Sequence, residues 1–152
     1  MLSVEKSGQL LPFIGQELEP SLWIEVTEAM ILAFAEVTRE RHWIHTDAAR
    51  VRAETPFKGL VAHGFLTLSL MTSLAGQCVE IRGARRILNY GLDRVRFTDI
   101  VTAGDRLRLR LTLESVEPGE RGTRLKWRCT LESEGRPRPA LVADFIWAVE
   151  ET

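Results

Sequence analysis

Apolar and polar residues alternate through most of the C-terminal half of the chain. The apolar members of two such runs are Leu107, Leu109, Leu111 and Leu113 and, further on, Leu125, Trp127, Cys129 and Leu131. A period of two is typical of strands that bury one face. We expect two more strands, over Arg85–Phe97 with a bend at Gly91 and over Leu141–Val149. Pro118-Gly119 is expected to form the turn between the first two runs. The pattern therefore predicts an antiparallel sheet with one buried face.

The N-terminal half of the chain has helical spacing instead. Apolar residues recur at three and four positions from Glu28 to about Glu40, which predicts an amphipathic helix with Thr27 as its N-cap. Asp47 is expected to cap a short helix over Ala48–Ala53. A third helix, from about His63 to Gln77, carries apolar residues on nearly every side and is therefore expected to be buried. A buried helix followed by alternating strands predicts an α+β fold in which the sheet wraps around the helix.

Length and composition limit the class of protein. A chain of 152 residues with 45% apolar and 27% charged residues fits one globular domain over 1–152. The net charge of −1 gives no argument for nucleic acid or an anionic membrane as a partner. The N-terminus lacks a signal peptide pattern and the apolar run Phe65–Leu74 is too short to span a bilayer, so we expect a cytoplasmic protein. Cys129 alternates with apolar residues, which favours a buried free thiol.

A carboxylate and an imidazole are the first candidates for chemistry. Glu40 lies five residues before His45, at the end of one predicted helix and in the following loop. If both side chains hold one water molecule, the carboxylate can deprotonate it and the imidazole can supply a proton to a substrate. The alternative is a solvated glutamate and a loop histidine that bonds to the backbone. The spacing alone leaves both interpretations open.

The start of the third helix is the second candidate. Unpaired N–H groups at a helix start attract developing negative charge, and Gly64 lets a ligand approach the backbone closely. The alternative is ordinary helix geometry, and Ser69 on the same helix has the alternative of bonding its own backbone. The three histidines lack the spacing of a zinc site, and the motifs of nucleotide and dinucleotide binding are missing from the sequence. We therefore expect neither a metal nor a cofactor.

Taken together, five segments resemble the MaoC-like dehydratase family, nearest to its nodulation-protein-N-like and (R)-specific enoyl-CoA hydratase branch. They are Phe34-Ala35-Glu36-Val37-Thr38, Trp43-Ile44-His45-Thr46-Asp47, Pro56-Phe57, Ala62-His63-Gly64-Phe65-Leu66-Thr67-Leu68-Ser69-Leu70 and Asn89-Tyr90-Gly91-Leu92-Asp93-Arg94-Val95-Arg96-Phe97. The resemblance extends from about Leu10 to Val149. It implies a hot-dog fold, in which an antiparallel sheet wraps a long helix, and usually a homodimer. It also implies reversible addition of water to a trans-2-enoyl-CoA, or to the acyl-carrier-protein thioester, giving the (R)-3-hydroxyacyl product.

The resemblance assigns roles residue by residue. His45 matches the family's catalytic histidine, while Glu40 stands where the family has Asp, and Arg39 where it has Gly. Gly64 matches the oxyanion-hole glycine, and Ser69 the serine that supports the acid. From the residues themselves, we expect the CoA phosphates to dock on the arginine cluster that precedes the first long strand, since guanidinium groups suit phosphates. The cluster consists of Arg82, Arg85 and Arg86. Its alternative role is solvated charge at the start of the strand.

Two other functions compete with the hydratase. Because Glu40 replaces the family's Asp, the chain is alternatively a module that binds acyl-CoA, or pairs with another subunit, without turnover. A thioesterase is the third hypothesis, since one fold hosts several chemistries.

Overall fold

A computed structural model describes residues 1–120 and 122–151 of the chain. The helices are a 3₁₀ helix over Ser7–Phe13 and four α-helices: α1 (Glu28–Thr38), α2 (Trp43–Thr46), α3 (Ala48–Glu54) and α4 (Gly64–Cys78). The strands are β1 (Leu2–Val4), β2 (Ile24–Glu25), β3 (Val79–Ile81), β4 (Ala84–Phe97), β5 (Arg106–Gly119), β6 (Gly122–Ser133) and β7 (Leu141–Glu151). None of the helices in this part of the chain is long and apolar enough to cross a membrane.

Five strands form an antiparallel sheet in the order β2-β5-β6-β7-β4, and β1 pairs with β3 in a separate parallel ribbon. The alternating leucines of β5 and β6 are fully buried, as is Trp127 between them. They face α4, which places Met71, Leu74 and Cys78 in the same hydrophobic core. The predicted α+β arrangement, with strands of period two packed on a long helix, is therefore confirmed.

Three details differ from the sequence-based expectations. Pro118 and Gly119 pair with Thr123 and Gly122, so the ladder continues through the residues expected to turn. Proline is tolerated there because β5 has its ladder partner on one side only at this end. The sheet covers only one side of α4, and Phe65 and Ser69 on the other side are exposed. The expectation that α4 is buried all round is therefore wrong for a single chain.

Helix α1 ends at Thr38, two residues before the expected end, because the next residue leaves the helical conformation. Arg39 has φ 60° and ψ 16°, the left-handed conformation of a helix C-cap. Glycine adopts this conformation without cost, whereas a side chain with a Cβ costs about 1 kcal/mol. The backbone thus explains in physical terms why a glycine suits this position.

Replacing Arg39 by glycine is therefore expected to stabilise the fold. We expect a gain of about 1 kcal/mol, or about 2–4 °C in the melting temperature for a chain of this size. Thermal unfolding followed by circular dichroism measures it. Ala33→Gly is the matched control, since Ala33 is exposed inside α1 and glycine there should cost a similar amount. A lower melting temperature for Arg39→Gly would contradict the argument.

Within the described residues, one edge of the sheet is covered by another segment of the chain and the other edge is not. The chain before β2 runs along β5, where Gly15, Leu18 and Ser21 donate backbone hydrogen bonds to its carbonyls. The opposite edge is β4, which is paired only with β7 and shows exposed apolar side chains. They are Ile87, Leu88, Tyr90, Leu92 and Phe97. A long apolar edge strand of this kind favours pairing with another chain.

The cysteines are buried free thiols in the described part of the chain, as predicted for Cys129. Burial raises the pKa of Cys129 to about 12 and that of Cys78 to about 11. Both thiols are therefore protonated and unreactive at neutral pH.

Candidate active site

Helix α2 and the segment before α4 meet at the N-terminus of α4, and their histidines lie face to face. The Val61 N–H donates to the carbonyl of Ile44 at 3.0 Å, which joins the loop before α4 to helix α2. The rings of His45 and His63 stack with their centroids 3.7 Å apart and an angle of 19° between their planes. The backbone carbonyl oxygen of Glu40 lies 3.0 Å from Nε2 of His63, so Glu40 is close to the same pair of rings. The structure thus brings together residues that lie 17 to 23 positions apart in the sequence.

Each histidine contacts a backbone carbonyl, and this fixes its neutral tautomer. Nδ1 of His45 lies 2.6 Å from the carbonyl oxygen of Val61. A carbonyl can only accept, so Nδ1 carries the proton and Nε2 of the neutral ring keeps its lone pair. For His63 the same argument puts the proton on Nε2. Its Nδ1 is buried and finds no hydrogen-bond partner in the described residues.

The surroundings of His45 favour its neutral form. Burial lowers its pKa below the ordinary value of 6.5, and the nearby His63 acts in the same direction. The bond to Val61 and the charge of Glu40 oppose this shift and are weaker in sum. At neutral pH, His45 is therefore an uncharged imidazole with an available lone pair, which suits a general base.

Glu40 is exposed, and its side chain accepts a hydrogen bond from its own loop. Its Oε1 accepts the backbone N–H of His42 at 3.2 Å. Arg39 makes no ion pair with it among the described residues, and Arg41 pairs with Glu36 instead. The carboxylate is therefore exposed to water and close enough to His45 for its charge to raise the pKa of that histidine.

Gly64 begins α4, directly after His63, which is the N-cap residue. At this first position the helix supplies no partner for the N–H, and no other described residue accepts from it. A Cβ at this position would lie 3.0 Å from two ring carbons of Phe97. Glycine therefore keeps the backbone accessible beside an aromatic ring that is itself half exposed.

A cavity of about 440 Å³ lies between α4 and β4, further along the helix from Gly64. Its apolar lining consists of Leu68, Met71, Leu92 and Phe145. Leu68 is one helical turn beyond Gly64, so the near end of the cavity lies about one turn from the oxyanion candidate, which does not itself line the cavity. Its apolar lining suits an apolar ligand.

Ser69 is placed in this cavity and not beside the acid. Its hydroxyl donates to the carbonyl of Phe65 at 2.7 Å, one turn back in α4. This is the alternative that the sequence left open. The described contacts do not bring it to Glu40, so its supporting role stays a prediction without a contact behind it.

The arginine cluster lies beyond the far end of α4, about 20 Å along the helix axis from Gly64. Arg82 pairs with Glu5, and both Arg85 and Arg86 pair with Glu150. Within one chain these contacts favour the structural alternative of charge at a strand start. The docking of CoA phosphates on this cluster stays a prediction.

Sequence reasoning treated His63 only as the residue before the oxyanion candidate. Its contacts with His45 and Glu40 depend on how the two loops fold onto each other. One signal was available: a polar ring directly before the glycine, within an otherwise apolar stretch from Leu60 to Leu66.

Comparison with known proteins gives three kinds of match. A family model described as "MaoC like domain" matches residues 10–132. Nodulation protein N of Rhizobium leguminosarum bv. viciae is 41% identical over 141 residues, covering 90% of this chain and 86% of the relative. The 3-hydroxyacyl-thioester dehydratase Z of Mycobacterium tuberculosis is 36% identical over 147 residues, covering 96% and 97%.

Among solved structures, the unliganded R-hydratase PhaJ1 of Pseudomonas aeruginosa superposes with a TM-score of 0.76. It is 23% identical, and the match covers 98% of this chain and 88% of that one. At this identity the likeness concerns the fold alone. The helix packed against a curled antiparallel sheet is thus the hot-dog fold that the resemblance implied.

Proposed function

Because the chain belongs to the MaoC-like dehydratase family and is a hydro-lyase, we propose that it adds water reversibly to a trans-2-enoyl thioester. One observation carries the proposal most strongly. Nε2 of His45 and the N–H of Gly64 have no hydrogen-bond partner among the described residues, and they belong to segments joined by direct hydrogen bonds. A base and an oxyanion donor are the two groups that this reaction requires.

The proposed hydration proceeds in two proton transfers at one nitrogen. The carboxylate of Glu40 orients a water molecule, and Nε2 of His45 accepts a proton as the water oxygen bonds to C3. The π electrons of the C2–C3 double bond move to the thioester oxygen, where the Gly64 N–H stabilises the negative charge. The imidazolium then returns its proton to C2 as the enolate collapses. Dehydration follows the same steps in reverse.

This assignment exchanges the roles first expected for the acid and the histidine. The sequence hypothesis made the carboxylate the base and the imidazole the proton donor. Since the Val61 carbonyl holds the proton on Nδ1, a neutral His45 has only a lone pair to offer at Nε2. It must accept a proton before it can donate one, which favours His45 as the base.

The acyl chain is proposed to lie in the cavity between α4 and β4. A thioester carbonyl at Gly64 would direct its chain past Leu68 towards Met71 and Phe145. The relative from Mycobacterium tuberculosis is named for action on 3-hydroxyacyl thioesters, which supports the same substrate class. CoA and acyl-carrier protein remain the two candidate carriers.

Crotonyl-CoA tests the function directly. We expect its enoyl absorbance to fall when the protein is added, and 3-hydroxybutyryl-CoA to accumulate to an equilibrium ratio. Release of free thiol without loss of the double bond would indicate a thioesterase instead. If neither signal changes while calorimetry detects binding of the acyl-CoA, the binding-module alternative replaces the hydratase.

A homodimer is the proposed assembly, formed at the uncovered β4 edge. We expect light scattering at micromolar concentration to give twice the mass of one chain, because pairing covers the apolar edge and its unpaired backbone groups. Leu88→Glu should shift the mass towards one chain. Val37→Glu is the matched control, since Val37 is also an exposed apolar residue but lies on α1. A single-chain mass for the unmodified protein would contradict the prediction.

A further inference from the structure

His63 is buried at the start of α4 and makes three kinds of contact. It is 5% exposed. One ring face stacks on His45, and Phe34 packs against the ring at 5.1 Å with the planes tilted by 53°. Its Nε2–H donates to the carbonyl of Glu40. No step of the proposed reaction uses this histidine, although it contacts both residues that hold the water.

We infer that His63 is a positioning residue, whose Nε2–H holds the backbone of Glu40 in register with the oxyanion donor Gly64. This inference rests on the proposed hydratase function and adds a residue to it. His63 and Gly64 are consecutive, so a single side chain fixes the distance between the acid loop and the Gly64 N–H. His45 is held to the same loops by its own bond to Val61. The two bonds run in opposite directions and form a reciprocal clasp between the loops.

The loop that carries Glu40 has few other attachments to the core. Arg39 turns the chain through a left-handed conformation directly before it. The Glu40 N–H reaches Thr38 Oγ1 only at 3.4 Å, and its side chain bonds within the loop to His42. The bond from His63 therefore ties the exposed loop to a buried group. Without it, we expect the carboxylate to move relative to His45 and Gly64.

Such a displacement should affect turnover more than binding. An error of about 1 Å in the placement of reacting groups costs about a hundredfold in rate. His63 is buried and does not line the cavity proposed for the acyl chain. The loss should thus fall on kcat, with KM changed by about twofold at most. A space-filling role alone would not separate the two constants in this way.

Two substitutions separate the donor from the ring. His63→Phe keeps an aromatic ring against His45 but removes the N–H, and we expect kcat for crotonyl-CoA to fall by about ten- to a hundredfold. His63→Gln places an amide N–H near the position of Nε2 and removes the ring, and we expect it to keep kcat within about threefold. His42→Asn is the control, because it removes an exposed histidine of the same loop while keeping a capping side chain.

A second readout is independent of turnover. In ¹⁵N spectra of the histidine rings at neutral pH, we expect His63 as the Nε2–H tautomer and His45 as the Nδ1–H tautomer. The groups whose charge acts on His45 are Glu40, His42 and His63. Because His63 lowers the pKa of His45, both His63 variants should raise that pKa and move the acid limb of kcat/KM to higher pH.

The outcomes distinguish the inference from the function on which it rests. A parent that does not hydrate crotonyl-CoA refutes the function, and the ring tautomers then still test the clasp. An active parent with an equally active His63→Phe variant overturns the inference. So does a His63→Gln variant as slow as His63→Phe with the same melting temperature, since restoring the N–H donor would then fail to restore turnover. If His63→Phe does not fold, a Nδ1–H tautomer for His63 in the parent overturns the inference.

Discussion

His45→Ala is expected to lower the turnover of crotonyl-CoA by about 10² to 10⁴-fold, the usual cost of a lost general base. Nε2 of this ring is the proposed acceptor for the proton of water, and it is neutral at pH 7 because burial lowers its pKa. The ring is only half-buried, in a short helix near the surface. Removing it should therefore cost far less in stability than in activity.

His45→Asn separates the two bonds of the imidazole. The asparagine amide N–H lies near the position of Nδ1 and can still donate to Val61, but nothing replaces Nε2. We expect this variant to be as inactive as His45→Ala, with a melting temperature closer to that of the parent. Activity near the parental level in either variant would remove His45 from the mechanism and leave a structural histidine.

The same argument gives the pH dependence. A base must be unprotonated, so activity should fall as the pH drops through the pKa of His45. Since that pKa is lowered from 6.5, the acid limb should lie below pH 6.5. A limb clearly above this value in the parent enzyme would contradict the neutral His45 that the mechanism requires.

The parts of the fold that depend on local rules could be predicted from sequence. Thr27 accepts the N–H of Met30 and Asp47 accepts that of Arg50, as expected of N-caps that lie beside the helices they start. The long strands could be predicted from the alternation of apolar and polar residues, because the sheet face on which a side chain lies depends only on whether its position is odd or even. The end of α1 was placed two residues late, since nothing in apolar spacing reveals the left-handed conformation of Arg39.

Only those site residues to which the family resemblance assigns a role could be predicted from sequence. Glu40 and His45 are close in sequence, but the stack of His45 on His63 and the bond from His63 to Glu40 join distant segments. The parallel pairing of β1 with β3 was missed for the same reason, as it joins residues 2–4 to 79–81. The position of the arginine cluster could not be predicted either. Its place before a strand in the sequence does not tell at which end of α4 the cluster lies.

Glu40→Gln is expected to lower turnover by about 10² or more while crotonyl-CoA still binds. The amide oxygen can keep the bond from the His42 N–H, so the loop should hold its shape while the charge is lost. Because the charge of Glu40 raises the pKa of His45, its removal should lower that pKa further. Steady-state kinetics, binding calorimetry and an NMR titration of His45 measure the three effects. A variant as fast as the parent would show that Glu40 does not orient the reacting water.

Restoring the family's residues at positions 39 and 40 tests whether the natural pair limits the enzyme. Glu40→Asp shortens the side chain by one methylene, but an aspartate readily accepts the N–H two residues on, so the bond from His42 can persist. We expect measurable activity for Glu40→Asp. With Arg39→Gly added, the left-handed position is relieved and activity should equal or exceed that of the parent. An inactive parent with an active double variant would instead mean that this chain has lost catalysis, in favour of the binding-module alternative.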